Sequence, residues 1–438
     1  MRSSLVVAVL LVSSAAAAAP VKLTLDQVTA KALAGPKARM ADDDREAYEA
    51  RVDEADAARY PHIKVSAFGT ISPKITCDIP DCTQTSPRNF ELAYSGFYGS
   101  AQLDVTQPLY TFGKIDHARK AARLGVAAED ALADEAAGDV AVDAARAYWG
   151  LKLAREIGFM LDDGIEQIGK ASAGLKDRKD LSITDRQRVA VLLATAKAQR
   201  AEAGQQERAA LAGLRAITGL PEADIDDEPL DVATSELDAS KLDGARRPQT
   251  RAATQGALAA DELAAMQAAY YWPDFALVAG AVFARAQGVT DPPGAFFNDP
   301  YNREGAGLVL GLQWTVEPWT VGARVARARA EARKAHDTAD LAQLGARYDA
   351  DSAAAEVTGA KAKLDASTEG EKAAHTWLAA VLQNEAIGAA EPKDLADAYI
   401  AWFQMRAQYD AAIFQWNVAL VRAGRATGEF HAAPRRPR

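Results

Sequence analysis

"GFYGSAQLDVTQPLYTFGK", residues 96–114, is the stretch on which the fold turns. Phe97, Gly99, Ala101, Leu103 and Val105 fall on one face of an extended strand, and Tyr98, Ser100, Gln102, Asp104 and Thr106 fall on the other. A second stretch, "GAGLVLGLQWTVEPWTVGAR" at 305–324, has the same design. There Ala306, Leu308, Leu310, Leu312, Trp314 and Val316 oppose Gly307, Val309, Gly311, Gln313 and Thr315. Gly113 and Gly322 are 322 − 113 = 209 positions apart, and so are Gly219 and Gly428, which close helical stretches at "AITGL" and "RATGE". Pro36 and Pro61 recur 212 positions later as Pro248 and Pro273. One unit has been written twice.

Each copy shows the same order of signals. A helical stretch (25–59, then about 249–271) ends at an aromatic residue and proline, "RYPHI" and "YWPDF". Two alternating segments follow, about 63–71 and 96–107 in the first copy and 275–284 and 305–316 in the second. The loops between them are rich in Pro, Gly and Asn. Long helical stretches then run over 114–218 and 323–427, each interrupted once. Sixty helical residues at about 1.5 Å each span roughly 90 Å, longer than a compact domain. Repeat 1 is thus expected over 20–220 and repeat 2 over 247–428, joined by an acidic linker (221–246) of irregular structure. A disordered tail, 429–438, is expected to end the chain.

Residues 1–19 read as a signal peptide: Arg2, an apolar run from Leu5 to Val12, then small residues offering A-x-A cleavage near Ala19. Beyond it no apolar run reaches the roughly 20 residues of a membrane helix. A net charge of −10 argues against nucleic acid as a partner. His62, His117, His336, His375 and His431 are scattered, so no catalytic constellation, metal set or cofactor is expected, and the chain reads as a non-enzyme. Cys77 and Cys82, in "CDIPDC", read as a small disulfide-closed loop in an exported protein, with free thiols as the alternative.

Four such strands cannot bury their apolar face on helices that extend away from them. A membrane barrel solves this by turning that face to lipid and the polar face to water. An open sheet in a bilayer would leave unsatisfied edges, so it must close. Three chains pooling four strands each would give twelve. The fold expected is therefore mainly α with a membrane β-barrel, internally duplicated.

At this point the sequence resembles the TolC family of outer membrane efflux proteins across nearly the whole mature chain. The marks are "LTLDQVTAKAL" (23–33), "ARYPHIKVSA" (58–67), "TQPLYTFGK" (106–114), "RPQTRAA" (247–253) and "YDAAIFQWNVALVRAGRATG" (409–428), in that order. The resemblance implies a homotrimer whose 12-stranded outer-membrane barrel is continuous with a 12-helix α-barrel crossing the periplasm. It further implies an exit duct in a Gram-negative outer membrane, served by a periplasmic adaptor and an inner-membrane transporter.

It also assigns sites. The interruptions of the long helices become periplasmic tips that dock the adaptor: Gly174, Leu175, Thr184 and Asp185 in copy one, with Gly174 and Leu175 five positions too early for the family pattern, and Gly388, Ala389 and Lys393 in copy two. Asp394 and Asp397 match the aspartate pair that lines the constricted aperture, and spacing of three puts both on one helix face. Copy one has Arg188 where copy two has Asp397, and the Arg and Tyr that hold the aperture closed in family members are replaced by Ala390 and Glu385. Without the resemblance, two acids here would simply favour a helix N-terminus. The competing function is a structural or adhesive coiled-coil protein of the envelope, without a lumen.

Overall fold

The computed structural model describes residues 20–77, 88–91, 93, 95–176, 182–235, 237–289, 301–387, 389 and 391–429. The expected signal peptide, Cys82 and the last nine residues lie outside them; Cys77 ends a strand, and its thiol is likewise outside the description. In chain order the elements are β1 (Val21–Leu23), α1 (Leu25–Leu33), α2 (Pro36–Ala57), β2 (His62–Ile71), β3 (Lys74–Cys77), β4 (Arg88–Glu91) and β5 (Phe97–Tyr110). There follow α3 (Lys114–Lys176), α4 (Ile183–Thr218), β6 (Ala223–Ile225), α5 (Pro248–Ala269), β7 (Asp274–Ala286), β8 (Arg303–Gln313), α6 (Pro318–Ala386) and α7 (Pro392–Thr427). Two compact units divide the chain: the described parts of Met1–Asp43, Ala131–Arg251 and Ala342–Arg438 form one, and Asp44–Asp130 with Ala252–Leu341 the other.

The second unit holds the sheet. Its strand order is β2-β5-β7-β8, every neighbouring pair antiparallel. The register aligns the alternation across all four strands. Val65, Leu103, Ala281 and Ala306 form one row of a largely apolar face; the next row, Ala67, Ala101 and Phe283, ends on Glu304, which pairs with Arg285 on the same face at the loop end of the sheet. The opposite face carries Lys64 across from Asp104 and Ser66 across from Gln102. The sheet is open, with β2 and β8 as its edges.

Boundaries differ from the sequence expectation where proline intervenes. The helical stretch expected from 25 to 59 is two helices, because Pro36 lacks a backbone N–H, opens α2 and disfavours a helical residue before it. Gly35 sits there, where an added Cβ would come within 2.8 Å of the Ala32 carbonyl. Further along the chain β8 stops at Gln313 rather than 316, and α6 begins at Pro318 rather than 323, since proline suits a first helical turn. The chain turns from β5 into α3 instead through Phe112 (φ 50°) and Gly113 (φ 92°). Left-handed backbone costs a residue like Phe112 about 1–2 kcal/mol. Its ring is held by Tyr110, 4.7 Å away between centroids, and by Trp272, stacked at 5.8 Å.

The first unit is helical and has three apolar clusters. Near the helix turns, Leu161 and Ile168 of α3, Leu192 of α4, Val381 of α6 and Tyr399 of α7 pack together. A second cluster joins Val357 and Leu364 of α6 to Ile413 and Trp416 of α7. A third packs Val28 of α1 against Leu151 of α3 and Leu214 of α4, all fully buried. Each such side chain contributes roughly 1.5–3 kcal/mol on burial.

Residues 221–246, expected to be irregular and outside the core, differ from that expectation. β6 pairs in parallel with β1, and Ala223, Ile225 and Leu230 are buried. Trp416 Nε1 donates to the Ala233 carbonyl (2.9 Å); the buried Asn417 donates to the Asp231 carbonyl (2.9 Å) and accepts from the Ala233 N–H (2.8 Å). Acidic composition misled because the acids themselves are anchored. Asp226 accepts from Tyr148 at 2.5 Å and lies 2.7 Å from Lys152 Nζ. Burial opposes ionisation of Asp226, but those two partners hold its carboxyl below the usual range.

Candidate functional site

The turn between α6 and α7 brings the acidic pair to an exposed position. After Ala386 the Ala389 N–H donates to the Asn384 carbonyl (2.8 Å), which closes the end of α6. Glu391 then caps α7 in extended conformation, and the Asp394 N–H donates to the Glu391 carbonyl at 3.0 Å. Leu395, Ala396, Ala398 and Tyr399 are buried in the helical core. Asp394 and Asp397 are exposed, so they share the face that points away from that core. Ala389 and Lys393 are exposed, and Gly388 and Ala390 lie outside the described residues.

The α3–α4 turn is built differently. Gly174 and Leu175 fall in the last turn of α3, not in a connecting loop. Thr184 is exposed in the first turn of α4, whereas the side chains of Leu175 and Asp185 lie outside the description. Arg188 is exposed beside the buried Val189. Thr184 and Arg188 line a groove of about 500 Å³ whose floor is Leu192 and Ala196 of α4 and whose far wall is Ile400 and Phe403 of α7. The structure thus places Thr184 beside the α7 helix that carries the acidic pair.

Glu385 is half-buried. Tyr399, about one helical turn beyond the buried Leu395, was not singled out by sequence reasoning. Burial, reinforced by Asp163 and Glu385, pushes its phenol up to about 12. It is neutral and packed on Phe403, with ring centroids 6.0 Å apart.

A further group missed by sequence reading is Asp410 of α7. It is 1 % exposed, with Arg406 Nε 3.3 Å from its Oδ2, and Arg406 also approaches Glu371 at 3.7 Å. Burial raises the Asp410 carboxyl to about 6, Arg406 opposing and Glu156 and Glu371 adding to the rise. Since the unfolded chain has a carboxyl near the ordinary value, the folded state binds the extra proton between about pH 4 and 6, and stability falls as pH rises through that window. Asp410→Asn is expected to raise thermal stability at pH 7.5 relative to wild type by more than it does at pH 4.5. The differential is at most roughly 2–3 kcal/mol, read from unfolding curves at the two pH values. Equal effects at both would show that the fold does not favour the protonated form of Asp410.

Among the described residues no cluster of three His, Cys, Asp or Glu side chains suited to a metal is found, and no helix is long and apolar enough to cross a membrane. The sheet presents a different surface. Ile63, Val65 and Ile71 of β2 and Leu308 and Leu310 of β8 lie on the apolar face and are each 67–73 % exposed. No protein-family model matches the sequence, and no curated protein matches it either. Solved structures do. The MtrE outer membrane channel of Neisseria gonorrhoeae superimposes with a TM-score of 0.75 at 18 % identity, covering 92 % of this chain and 88 % of that one. The chain has the TolC-family channel fold. The VceC outer membrane protein of Vibrio cholerae (TM-score 0.74, 18 % identity, 92 % and 96 % covered) agrees. So does the CmeC outer membrane channel of Campylobacter jejuni (0.73, 15 %, 92 % and 85 %). MtrE and CmeC are channels, and this chain spans most of the length of all three neighbours.

Proposed function

We propose that three copies of this chain form an outer-membrane exit duct of a Gram-negative bacterium, closing twelve strands into a barrel above a twelve-helix periplasmic tunnel. The observation that carries the reading is the open sheet with an exposed apolar face. In water that face would be a large aggregation-prone patch, and its two edges would offer unpaired backbone. In a bilayer, with β8 of one copy paired to β2 of the next, both liabilities disappear. The channel fold of the structural neighbours supports the same conclusion. Duplication is supported by lengths: α2 and α5 each have 22 residues, α4 and α7 each have 36. The helices α4 and α7 both end on a left-handed glycine, Gly219 (φ 68°) and Gly428 (φ 72°).

In this duct Asp394 and Asp397 line the periplasmic aperture. Two acids from each of three copies around one axis attract cations and exclude anions, as acidic rings do in pores generally. The tips at Gly174, Leu175, Thr184 and Asp185 and at Gly388, Ala389 and Lys393 dock a periplasmic adaptor, which couples the duct to an inner-membrane transporter. Membrane fractionation followed by an unheated gel tests the assembly: the outer-membrane fraction is expected to hold a trimer, and a soluble monomer would remove the duct. In planar bilayers, Asp394→Asn with Asp397→Asn is expected to lower cation-over-anion selectivity roughly several-fold and relieve block by divalent cations. Unchanged currents would remove the aperture assignment while leaving the duct.

A further inference from the structure

The helices that adjoin the two free edges of the sheet carry opposite, unpartnered charge. α2 leads into edge strand β2 and α6 leaves edge strand β8, each across an equal connector (62 − 57 = 5 and 318 − 313 = 5). On α2, Arg45, Tyr48 and Asp56 turn toward α3: Arg45 lies 3.8 Å from Asp130, Asp56 pairs with Arg119, and Tyr48 packs beside Gly125. Glu46, Asp53 and Glu54 are exposed on the other side, spaced i, i+7 and i+8 on one face. Among the described residues none of the three has a basic partner. On α6, Val321, Val325, Ala328 and Ala332 are buried, while Arg324 and Arg329 are exposed and, among the described residues, have no acidic partner. By contrast the cations at the start of α3, beside the inner strand β5, are satisfied within the chain: Lys114 by Asp274 at 2.8 Å, Arg119 by Asp56, Arg123 by Asp56 at 3.7 Å.

We infer that α2 of one copy and α6 of the next form a charge-matched seam that dictates which sheet edges join. The inference rests on the three-copy reading above and adds the device that selects the correct pairing. Depths along the helices agree. Glu46 lies 57 − 46 = 11 residues from the sheet end of α2, and Arg329 lies 329 − 318 = 11 residues from the sheet end of α6. Both are about 16 Å below the connectors at 1.5 Å per residue. Arg324, five residues before Arg329, is turned about 140° from it around α6, so Glu46 with Arg329 is the pair that defines the seam. Joining β8 to β2 sets acid against base. Joining β2 to β2 would set acid against acid, and β8 to β8 base against base, so like edges repel. A head-to-tail interface of this kind is the one that can close into a ring.

The test uses the full chain with Cys77 and Cys82 replaced by serine. Glu46→Cys with Arg329→Cys in this background is expected to yield disulfide-linked trimers on a non-reducing gel after mild oxidation, because the two positions meet only between copies. Independently, Arg329→Glu is expected to lower the temperature at which the trimer dissociates on unheated gels. Adding Glu46→Arg to that variant is expected to restore it. A trimer that forms normally, gives no cross-link and dissociates at an unchanged temperature after charge reversal overturns the seam and leaves the three-copy reading intact. A parent chain that is monomeric in the membrane overturns both.

Discussion

Leu308→Arg with Leu310→Arg is expected to abolish insertion into the outer membrane while the helical unit still folds. Both leucines stand near the middle of β8, 67 % exposed, with Leu310 paired to Leu277 and Leu308 to Ala279 on the same apolar face. In the proposed barrel that face meets hydrocarbon. Arginine at the bilayer midplane of a β-barrel costs about 2–4 kcal/mol, so two adjacent ones cost roughly 4–8 kcal/mol, comparable with the whole stability of many folded domains. The control is Val309→Asn, between them on the opposite face, which would line water and leave insertion unchanged. Fractionation and circular dichroism together read the result. A double-arginine protein that still reaches the outer membrane in normal amount would show that this face does not contact lipid.

Arg247→Ala is expected to be the most damaging single substitution in the helical unit. Arg247 is buried where the 221–247 segment meets the long helices; its Nη2 donates to Glu135 Oε1 at 2.8 Å, and its Nη1 pairs with Asp349. Burial works against a charged guanidinium, yet Glu135 and Asp349 outweigh it, and the group stays firmly charged. Arg425 joins the same cluster, 2.9 Å from Glu135 and 2.5 Å from Asp139. Removing one partner of a buried pair costs about 3–5 kcal/mol, because the remaining charge is stranded. Arg425 keeps one hydrogen bond to Glu135, which places the expected loss toward the lower figure. Arg247→Lys should recover only part of it, since an ammonium cannot make the two-pronged contact. Thermal unfolding of the detergent-purified protein measures both variants against wild type, and a change in midpoint too small to resolve for Arg247→Ala would show that the cluster is not a stabilising one.

The strands and the breaks in the long helices were legible because each is written locally. Alternation at Phe97–Thr106 and Ala306–Leu312 needs only neighbouring residues, as does the stop imposed by Pro61 or the start offered by Pro392. Boundaries failed where two local signals competed, as at Trp314–Val316, which continue the alternation but precede a proline that already opens α6. The aperture role proposed for Asp394 and Asp397 rests on the resemblance, since the two acids alone are an ordinary first turn of a helix. Asp410 and Asn417 carried no signal at all. Polar residues in a polar-looking amphipathic helix announce burial only when the opposing surface is known.

By itself the sequence determined the four long strands, the long helices and the two-faced character of those strands, because helix and strand periods and proline stops act over a few residues, whereas the short strands β1, β3, β4 and β6 carried no such period. Only the tertiary structure decided that β5 and β7 are neighbours, joining the two halves of the chain in one sheet, and that the acidic segment after α4 is stitched into the helical core through Asp226, Asp231 and Ala233. Those are contacts between residues far apart in the chain, as for Tyr148 with Asp226 (|i−j| 78) and Asn417 with Asp231 (|i−j| 186). Their energy depends on which surfaces are desolvated together, and that depends on the whole chain rather than on any window of it.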